Sequence, residues 1–242
     1  MDSDPHEHDH PHGHDEGIST KISEYLQLIY NLEMEGEPAH GAALARRVGK
    51  TRANISAVVD RMTKLGLAAG RGRGDIVLTE RGRQEAETAL RRHRLAERYL
   101  VDALGLDWIT AHEEAHHFEL GLTPIVEKAI LKQLGHPTTC PHGNPIPGQV
   151  PDAASYLREQ GGVRLSEAPV GQPLEVICVS EVVEDESATL RYVGEKGLRP
   201  GRAFTLVERS PDAGALELQI DGGRTAAVSG DLAQLIWVRS TV

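Results

Sequence analysis

Residues 42–79 read AALARRVGKTRANISAVVDRMTKLGLAAGRGRGDIVLT, and this stretch decides the fold of the N-terminal region. Apolar residues at helical spacing predict a short helix over 42–48 and a longer helix over 51–65, with a tight break at Gly49 between them. Two helices joined by a short glycine-bearing turn are typical of a helix-turn-helix.

A predicted wing follows the second helix. Gly66 ends that helix, residues 70–75 form a basic glycine-rich turn, and residues 76–78 are an apolar strand before Thr79 caps the next helix. A strand, a turn and a second strand after a helix-turn-helix predict a winged helix.

Charge is distributed unevenly along the 242 residues. The chain carries 26 Lys+Arg against 36 Asp+Glu, a net charge of -10 with histidine neutral. Residues 38–83, however, hold ten Lys/Arg and three acids, a balance of +7, whereas residues 101–242 hold eleven Lys/Arg and twenty acids, a balance of -9. A basic block inside an acidic chain indicates separate partners for separate regions, and a basic helix-turn-helix indicates DNA.

The DNA contacts are expected from two places in this block. A recognition helix presents its N-terminal residues to base edges, while phosphates take basic and hydroxyl contacts. The candidates at the start of the second helix are Thr51, Arg52, Asn54 and Ser56. Arg71 and Arg73 at the wing tip are the candidates for phosphate or minor-groove contacts.

The remaining sequence predicts helices first and strands later. Five short apolar runs with Gly/Pro turns between them, at 174–179, 188–193, 203–207, 216–220 and 235–238, predict a small all-β barrel. The predicted organisation is a disordered His/Asp-rich tail at 1–17, a winged-helix domain at 18–83, a helical dimerisation and metal-binding domain at 84–136, a Pro-rich linker with a short helix at 137–167, and the β-barrel at 168–242.

Two features bear on the compartment. Cys140 and Cys178 are the two cysteines of the chain, and their wide separation argues against a disulfide scaffold and for a reducing environment. No apolar run approaches the roughly 18 residues of a membrane span, and no apolar signal-peptide segment follows the charged start. We therefore expect a cytoplasmic protein.

Two clusters of histidine and glutamate indicate metal chemistry. His93 and Glu97 are four residues apart on one predicted helix, and His112, His116 and Glu119 form a single stripe on the next. Imidazole and carboxylate suit borderline and hard divalent ions, and the absence of thiolates argues against a structural zinc knuckle. Either cluster alone is equally typical of a solvated polar helix, but together they favour a metal site.

Two other classes of function remain open at this point. Residues 112–116 match the H-E-x-x-H signature of zinc metalloproteases, with Glu113 as general base, although the third histidine of the extended signature would fall on Leu122. A metal-buffering protein would also explain the two clusters and the five histidines of the tail. Two other roles are open for the tail histidines: they supply a ligand to the metal site, or they belong to a solvated extension.

Beyond these patterns, residues 19–242 resemble the diphtheria-toxin-repressor family of metal-dependent transcriptional regulators. The resemblance is carried by Glu24-Tyr25-Leu26, Ile29-Tyr30, Ile55-Ser56, Arg61-Met62, Leu78-Thr79, Arg92-His93-Arg94-Leu95-Ala96-Glu97, Gly105-Leu106-Asp107 and Gly143-Asn144-Pro145-Ile146-Pro147. It implies a mainly α winged helix-turn-helix and helical dimerisation domain followed by an SH3-like small β-barrel. It also implies a homodimer, not an enzyme, that binds palindromic operator DNA when loaded with Mn(II) or Fe(II) and represses metal-uptake genes.

The resemblance further implies two metal sites. The first comprises His93, Glu97 and His112, with Glu181 and Glu184 reaching in from the barrel. The second comprises Glu24, His116 and Glu119. Oxygen-rich ligation without sulfur leads us to expect Mn(II) rather than Fe(II).

Three positions depart from the family pattern. The Glu24 position is Met in iron-type and Asp in manganese-type members, and the His116 position is Cys or Glu. The family has a histidine directly after the Glu119 position, where this chain has Leu120. The second site is therefore predicted to lack one ligand.

Overall fold

The computed structural model describes residues 18–72, 74–181, 186–210, 214–220 and 223–241. The predicted tail at 1–17, Arg73 and Glu184 lie outside these residues. The helices are α1 Thr20–Met34, α2 Gly41–Arg47, α3 Arg52–Lys64, α4 Glu80–Asp102, α5 Trp108–Phe118, α6 Pro124–Gln133, α7 Tyr156–Glu159, α8 Glu186–Glu195 and α9 Gly230–Ala233. The strands are β1 Ala68–Arg71, β2 Asp75–Leu78, β3 Val163–Arg164, β4 Pro173–Val179, β5 Ala203–Ser210, β6 Ala215–Ile220, β7 Arg224–Ser229 and β8 Ile236–Ser240.

The winged helix forms where the sequence predicts it. Helices α2 and α3 are the helix-turn-helix, and the Thr51 side chain caps α3 by accepting a hydrogen bond from the backbone N–H of Asn54 at 3.3 Å. Strands β1 and β2 pair antiparallel to form the wing. The buried face of α1, including Leu26 and Tyr30, packs with Leu44 of α2 and Met62 of α3 in one apolar core.

Helices α4 and α5 connect three of the apolar cores formed by the described residues. The first half of α4 contributes Ala86 and Leu90 to the winged-helix core. Its second half packs with α5 and α6 around Leu95 and Leu100. Trp108, the first residue of α5, lies in the core of the C-terminal sheet. Residues of α4 and α5 therefore contribute to the cores of the winged helix, the helical unit and the C-terminal sheet.

The C-terminal strands form one antiparallel sheet, in the order β3-β8-β4-β5-β6-β7. Register shifts in β4 between Val176 and Cys178, and in β5 between Leu206 and Glu208, bend the sheet around its core. This is the small β domain that the sequence predicts.

One predicted strand of this domain is wrong. Residues 188–193 belong to helix α8, in which Leu190 and Val193 are buried in the sheet core. Their spacing of three places both on one face of a helix, whereas on a strand they would point to opposite faces. The short runs that became β3 and β7 carried too weak an alternation to be predicted.

The Pro-rich segment predicted as a linker is packed into the interior. The side chains of Cys140, His142, Asn144 and Ile146 have no exposed surface. The segment is held at both ends of the turn, because Cys140 N–H donates to the Asn144 carbonyl at 2.9 Å and the Asn144 amide donates to the Val179 carbonyl at 2.9 Å. Among the helices of the described residues, none has the length and apolar composition needed to cross a membrane.

Gly143 makes this packing possible. Its φ is +88°, and a Cβ at this position would lie 2.0 Å from the Ile177 carbonyl oxygen of β4. No side chain is compatible with that approach, so the segment reaches β4 through a residue without one.

We predict that Gly143→Ala lowers the free energy of unfolding by about 3 kcal/mol or more, because strain and steric overlap with β4 add together. Gly148→Ala is the matched control: its φ is +82° but a Cβ there would meet nothing within 4 Å. That variant should lose only about 1 kcal/mol from the left-handed backbone. Urea unfolding followed by circular dichroism measures both, and equal losses would contradict the packing argument.

Candidate metal centre

Five of the predicted ligands converge where α4 packs on α5. His93 and Glu97 lie one turn apart on the inner face of α4, and both are buried. His112 and His116 lie one turn apart on α5, with His112 buried and His116 at the exposed mouth. Glu119 follows in the short 3-10 helix Glu119–Gly121 at the end of α5.

Glu97 lies at the centre of the group. Its Oε1 atom is 3.2 Å from His93 Nε2, 2.8 Å from His112 Nδ1 and 3.2 Å from His142 Nδ1. Its Oε2 atom is buried and has no hydrogen-bond partner among the described residues. A fully buried carboxylate oxygen without a partner is costly, and such an atom is a free ligand position.

The remaining donors surround this carboxylate in two adjoining groups. Nitrogen atoms of His93, His112 and His116 lie within 4.8 Å of one another, and so do ligand atoms of Glu97, Cys140 and His142. Glu119 approaches the first group, with its Oε2 atom 2.8 Å from His93 Nδ1. We call these seven residues the metal cluster: His93, Glu97, His112, His116, Glu119, Cys140 and His142.

Opposite charges offset the cost of burial within the metal cluster. Burial lowers the pKa of His93, but the carboxylates of Glu97 and Glu119 raise it well above its ordinary value. Burial raises the pKa of Glu97, but His142 and His93 hold it well below its ordinary value. The pKa of His116 is lowered by burial and by the neighbouring His93 and His112. Burial raises the pKa of the Cys140 thiol, and Glu97 raises it further.

The structure brings residues of both predicted sites close together. His116 and Glu119, expected in a second site with Glu24, instead contact the same group as His93 and His112. Glu24 lies on the exposed side of α1 and is not among the side chains that converge. The reason is the α1 pattern itself, since Ile22, Leu26 and Ile29 occupy the buried face.

Glu181 is engaged by another partner. Its carboxylate accepts hydrogen bonds from the Arg94 guanidinium, with Nη2 2.6 Å from Oε2 and Nε 3.2 Å from both oxygens. The Cys140 Sγ atom of the metal cluster lies 4.0 Å from Oε1. In this structure an arginine pairs with both oxygens of Glu181, so its carboxylate is not brought together with His93, Glu97 and His112, and its role as a ligand of the same ion stays a prediction. Glu184 lies outside the described residues.

The sequence argument missed Cys140 and His142. Both come from the Pro-rich segment, whose position relative to α4 and α5 cannot be read from spacing along the chain. The signal was the C-x-H pattern of residues 140–142, which contradicts the expectation of a site without sulfur. The Leu120 side chain, which offers no donor atom, is 75% exposed.

The donor set fits a divalent metal ion. Four imidazoles, two carboxylates and a thiol offer nitrogen, oxygen and sulfur ligands to one region with a free carboxylate oxygen at its centre. Neighbouring residues orient two of the donors, His142 and Cys140. The His142 ring contacts the Trp108 carbonyl at 3.1 Å, and Arg98 donates a hydrogen bond to the Cys140 carbonyl at 2.7 Å.

The protease alternative requires Glu113 to face the same ions as His112 and His116. Glu113 instead lies on the exposed face of α5, with Oε1 4.0 Å from Arg191 of α8. A general base must reach the metal-bound water, so this placement argues against hydrolysis.

The predicted DNA-contacting residues lie on one accessible part of the winged helix. Thr51, Arg52, Asn54 and Ser56 are all exposed at the start of α3, while Ile55 between them is buried and anchors the helix. Arg71 is exposed at the end of β1, and Arg73 lies outside the described residues.

Two family models match the chain. The model described as iron dependent repressor, metal binding and dimerisation domain matches residues 79–148, which contain the whole metal cluster. The FeoA domain model matches residues 163–240, the C-terminal sheet.

Individual relatives match over nearly their full length. The chain is 37% identical over 221 residues to the iron-dependent repressor IdeR of Mycobacterium leprae (strain TN), which covers 88% of this chain and 94% of that protein. It is 30% identical over 223 residues to the diphtheria toxin repressor of Corynebacterium diphtheriae, covering 88% and 93%. A solved manganese-dependent transcriptional repressor in complex with manganese superposes with a TM-score of 0.74 at 29% identity, covering 90% of this chain and 99% of that one. The chain therefore belongs to the iron-dependent repressor family, whose members include IdeR and the diphtheria toxin repressor.

Proposed function

We propose that this protein is a transcriptional repressor whose affinity for operator DNA rises when a divalent metal ion binds to the metal cluster. The observation that carries the proposal is the unpartnered Oε2 atom of Glu97, buried among imidazoles and a thiol. The relatives are named as iron-dependent and manganese-dependent repressors, which supports the same conclusion.

The proposed ion is Fe(II) or Mn(II). The sequence favoured Mn(II) on the ground that the ligands were rich in oxygen and free of sulfur. Cys140 and His142 remove that ground, because thiolate and imidazole bind iron more tightly than manganese. We therefore propose that the isolated protein binds Fe(II) more tightly and that Mn(II) is the alternative when iron is scarce.

A bound ion would supply positive charge next to Glu97 and Glu119 and would join ligands from α4, α5 and the Pro-rich segment. The positions of the ligands on α4 explain how ion binding would affect the DNA-binding helix. Helix α4 carries His93 and Glu97 in its second half, and its first half packs in the winged-helix core. A change in how α4 lies on α5 therefore moves α3 and its exposed N-terminal residues.

We propose that the protein acts as a homodimer on palindromic DNA. The helical unit exposes four large apolar side chains, Leu104, Leu120, Ile125 and Val126, and the matched family model is described as a dimerisation domain. A dimer places two recognition helices on successive major-groove half-sites, as helix-turn-helix proteins require. Thr51, Arg52, Asn54 and Ser56 are the proposed contacts of α3, with Arg71 and Arg73 in the wing.

Metal-uptake genes are the proposed targets. Repression of uptake by a metal-loaded protein closes a feedback loop, in which the regulated ion limits its own entry. A metal-buffering protein would bind ions equally well but would show no sequence-specific affinity for DNA, so the first experiment below separates the two.

We predict that His112→Ala lowers the metal-dependent gain in DNA affinity by about tenfold or more, since coupling of about 1 to 3 kcal/mol passes through the lost ligand. The control is His117→Ala, which removes an exposed imidazole from the same helix outside the metal cluster. Fluorescence anisotropy with a duplex selected in vitro by the wild-type protein, with and without Fe(II) under anaerobic conditions, measures the gain. If both variants lose the metal-dependent gain equally, or if neither variant loses it, the assignment of His112 as a metal ligand is contradicted.

Metal affinity should rise with pH. The raised pKa values of His93 and Cys140 leave both protonated near neutral pH, and each must lose its proton before it can ligate an ion. The affinity for Mn(II) should therefore increase between about pH 6 and about pH 8, with release of protons. Calorimetry in two buffers of different ionisation enthalpy counts the protons, and Cys140→Ser should release fewer than the wild type. An affinity independent of pH would contradict this account.

We predict that Ile125→Asp dissociates the dimer into chains of 26.3 kDa, because it places a charge on an apolar side chain that is 83% exposed in the single chain. Val170→Asp is the control, since Val170 is an exposed apolar residue outside the helical unit. Sedimentation velocity distinguishes the two. A wild type that sediments as a single chain would contradict the proposed assembly.

A further inference from the structure

Six of the seven residues of the metal cluster fall into two separate groups of donors. The first, which we call the imidazole group, comprises His93, His112 and His116. The second, which we call the thiol group, comprises Glu97, Cys140 and His142, and all three of its side chains are fully buried. Neither Cys140 nor His142 belongs to a metal site that the family resemblance implies, so the thiol group needs an explanation of its own.

The His142 ring is oriented to ligate through one particular nitrogen. Its Nε2 atom lies 3.1 Å from the Trp108 carbonyl oxygen, and because a carbonyl oxygen only accepts, Nε2 carries the proton of this hydrogen bond. In the neutral ring Nδ1 then carries the lone pair, and Nδ1 is the atom that lies near Glu97 and Cys140. A hydrogen bond from the other ring nitrogen to a carbonyl fixes the tautomer of ligating histidines in metal sites.

The separations between the donors of the thiol group match those around one small ion. The Nδ1 atom of His142 lies 3.2 Å from Oε1 of Glu97 and 3.8 Å from Sγ of Cys140. Bonds of about 2.0 to 2.3 Å at tetrahedral angles place ligand atoms about 3.3 to 3.6 Å apart, so both separations are within about 0.3 Å of this range. The Oε1 atom of Glu181, 4.0 Å from the same sulfur, offers a fourth donor.

The backbone of the thiol group is held in place by contacts that do not depend on an ion. The Cys140 carbonyl accepts a hydrogen bond from Arg98 at 2.7 Å, and the His142 carbonyl accepts one from the Val179 N–H at 3.0 Å. The third donor, Glu97, lies within helix α4. Because these ligands are positioned beforehand, little conformational entropy is lost when an ion binds, and such preorganisation favours tight binding.

We propose that the thiol group binds a Zn(II) ion of its own, and that the regulated ion binds beside it at the imidazole group. Thiolate, imidazole and carboxylate are the three ligand types that zinc takes in proteins. Zn(II) binds such ligands more tightly than Fe(II) or Mn(II) does. The imidazole group keeps the preference for Fe(II) over Mn(II), because nitrogen ligands follow the same order. The zinc ion joins the Pro-rich segment to α4 and offsets the buried charge of Glu97.

Co(II) tests the proposed thiolate bond directly. Co(II) takes the place of Zn(II) in sites of this kind, and a bond from cobalt to thiolate gives a charge-transfer absorption in the near ultraviolet that nitrogen and oxygen ligands do not give. We expect this absorption when one equivalent of Co(II) is added to the metal-free full-length chain. One equivalent of Zn(II) should then abolish it, because Zn(II) displaces Co(II) from the thiol group.

Cys140→Ser should abolish the cobalt–thiolate absorption and weaken Zn(II) binding by about a hundredfold or more, since loss even of a residue that orients a ligand costs about 10- to 100-fold. Cys178→Ser is the matched control, because Cys178 is also buried and belongs to neither donor group of the described residues. The control should keep both the absorption and the affinity. His142→Gln is the second variant should Cys140→Ser fail to fold, and it should weaken Zn(II) binding by a similar factor.

A second measurement tests whether two ions bind at once. The full-length chain loaded with one equivalent of Zn(II) should still bind one Mn(II), counted from the electron paramagnetic resonance signal of the free ion. His116→Ala should lose this Mn(II) but keep the cobalt–thiolate absorption, because His116 belongs to the imidazole group alone.

Three results would each overturn the inference: no cobalt–thiolate absorption in the wild type, an equal loss of it in Cys178→Ser, or complete exclusion of Mn(II) by one equivalent of Zn(II). The inference rests on the proposed function only in that both ions share Glu97, and the two fail separately. A chain that shows the absorption but no metal-dependent DNA affinity would overturn only the proposed function. A chain that lacks the absorption but gains DNA affinity with Mn(II) would overturn only the zinc site.

Discussion

The carboxylate of Glu97 is the constraint on which the rest of the centre depends. It has no exposed surface, and removal of a partner from a buried charge costs about 3 to 5 kcal/mol. Three imidazoles share one of its oxygens, and they come from α4, α5 and the Pro-rich segment. Satisfaction of this single charge therefore brings together three segments that are distant in sequence, and it leaves the second oxygen free to ligate an ion.

The uneven charge of the chain reflects two different environments, an exposed basic surface and buried acidic side chains. Residues 38–83 of the winged helix carry a balance of +7, and the proposed DNA contacts Arg52 and Arg71 lie among its exposed residues. Acidic groups elsewhere are in part internal: Glu97 lies among imidazoles, Glu181 pairs with Arg94 and Glu35 pairs with Arg164. The overall value of -10 thus hides a basic surface and several neutralised interior acids, and so does not oppose DNA binding.

Short sequence patterns predicted the features that depend on residues close together in the chain. The winged helix was predictable because its helix caps, its terminating glycines and its apolar spacing lie within about forty residues. Five residues of the metal cluster were predictable because a spacing of three or four residues on a helix places side chains on one face. Cys140 and His142 were not predictable from spacing, since an irregular segment has no period. The pairing of Glu181 with Arg94 was not predictable either, because nothing in the sequence indicates that Arg94, next to a predicted ligand, points to the sheet. Residues 188–193 were misread because a short apolar run fits both a strand and a buried helix face.

In the proposed function, the length of α4 would allow a small rearrangement at the metal cluster to control DNA binding. A helix of 23 residues spans about 34 Å at 1.5 Å per residue. A rotation of about 5° at one end of such a helix displaces the other by about 3 Å, which is close to one base-pair step of about 3.4 Å. In the proposed homodimer two recognition helices would have to match half-sites about 34 Å apart, so a displacement of this size in each protomer would change the register on DNA. Movement of the ligands by about 1 Å is enough, provided that α1 and the sheet move with α4. The buried pairs of Arg94 and Arg164 connect these elements.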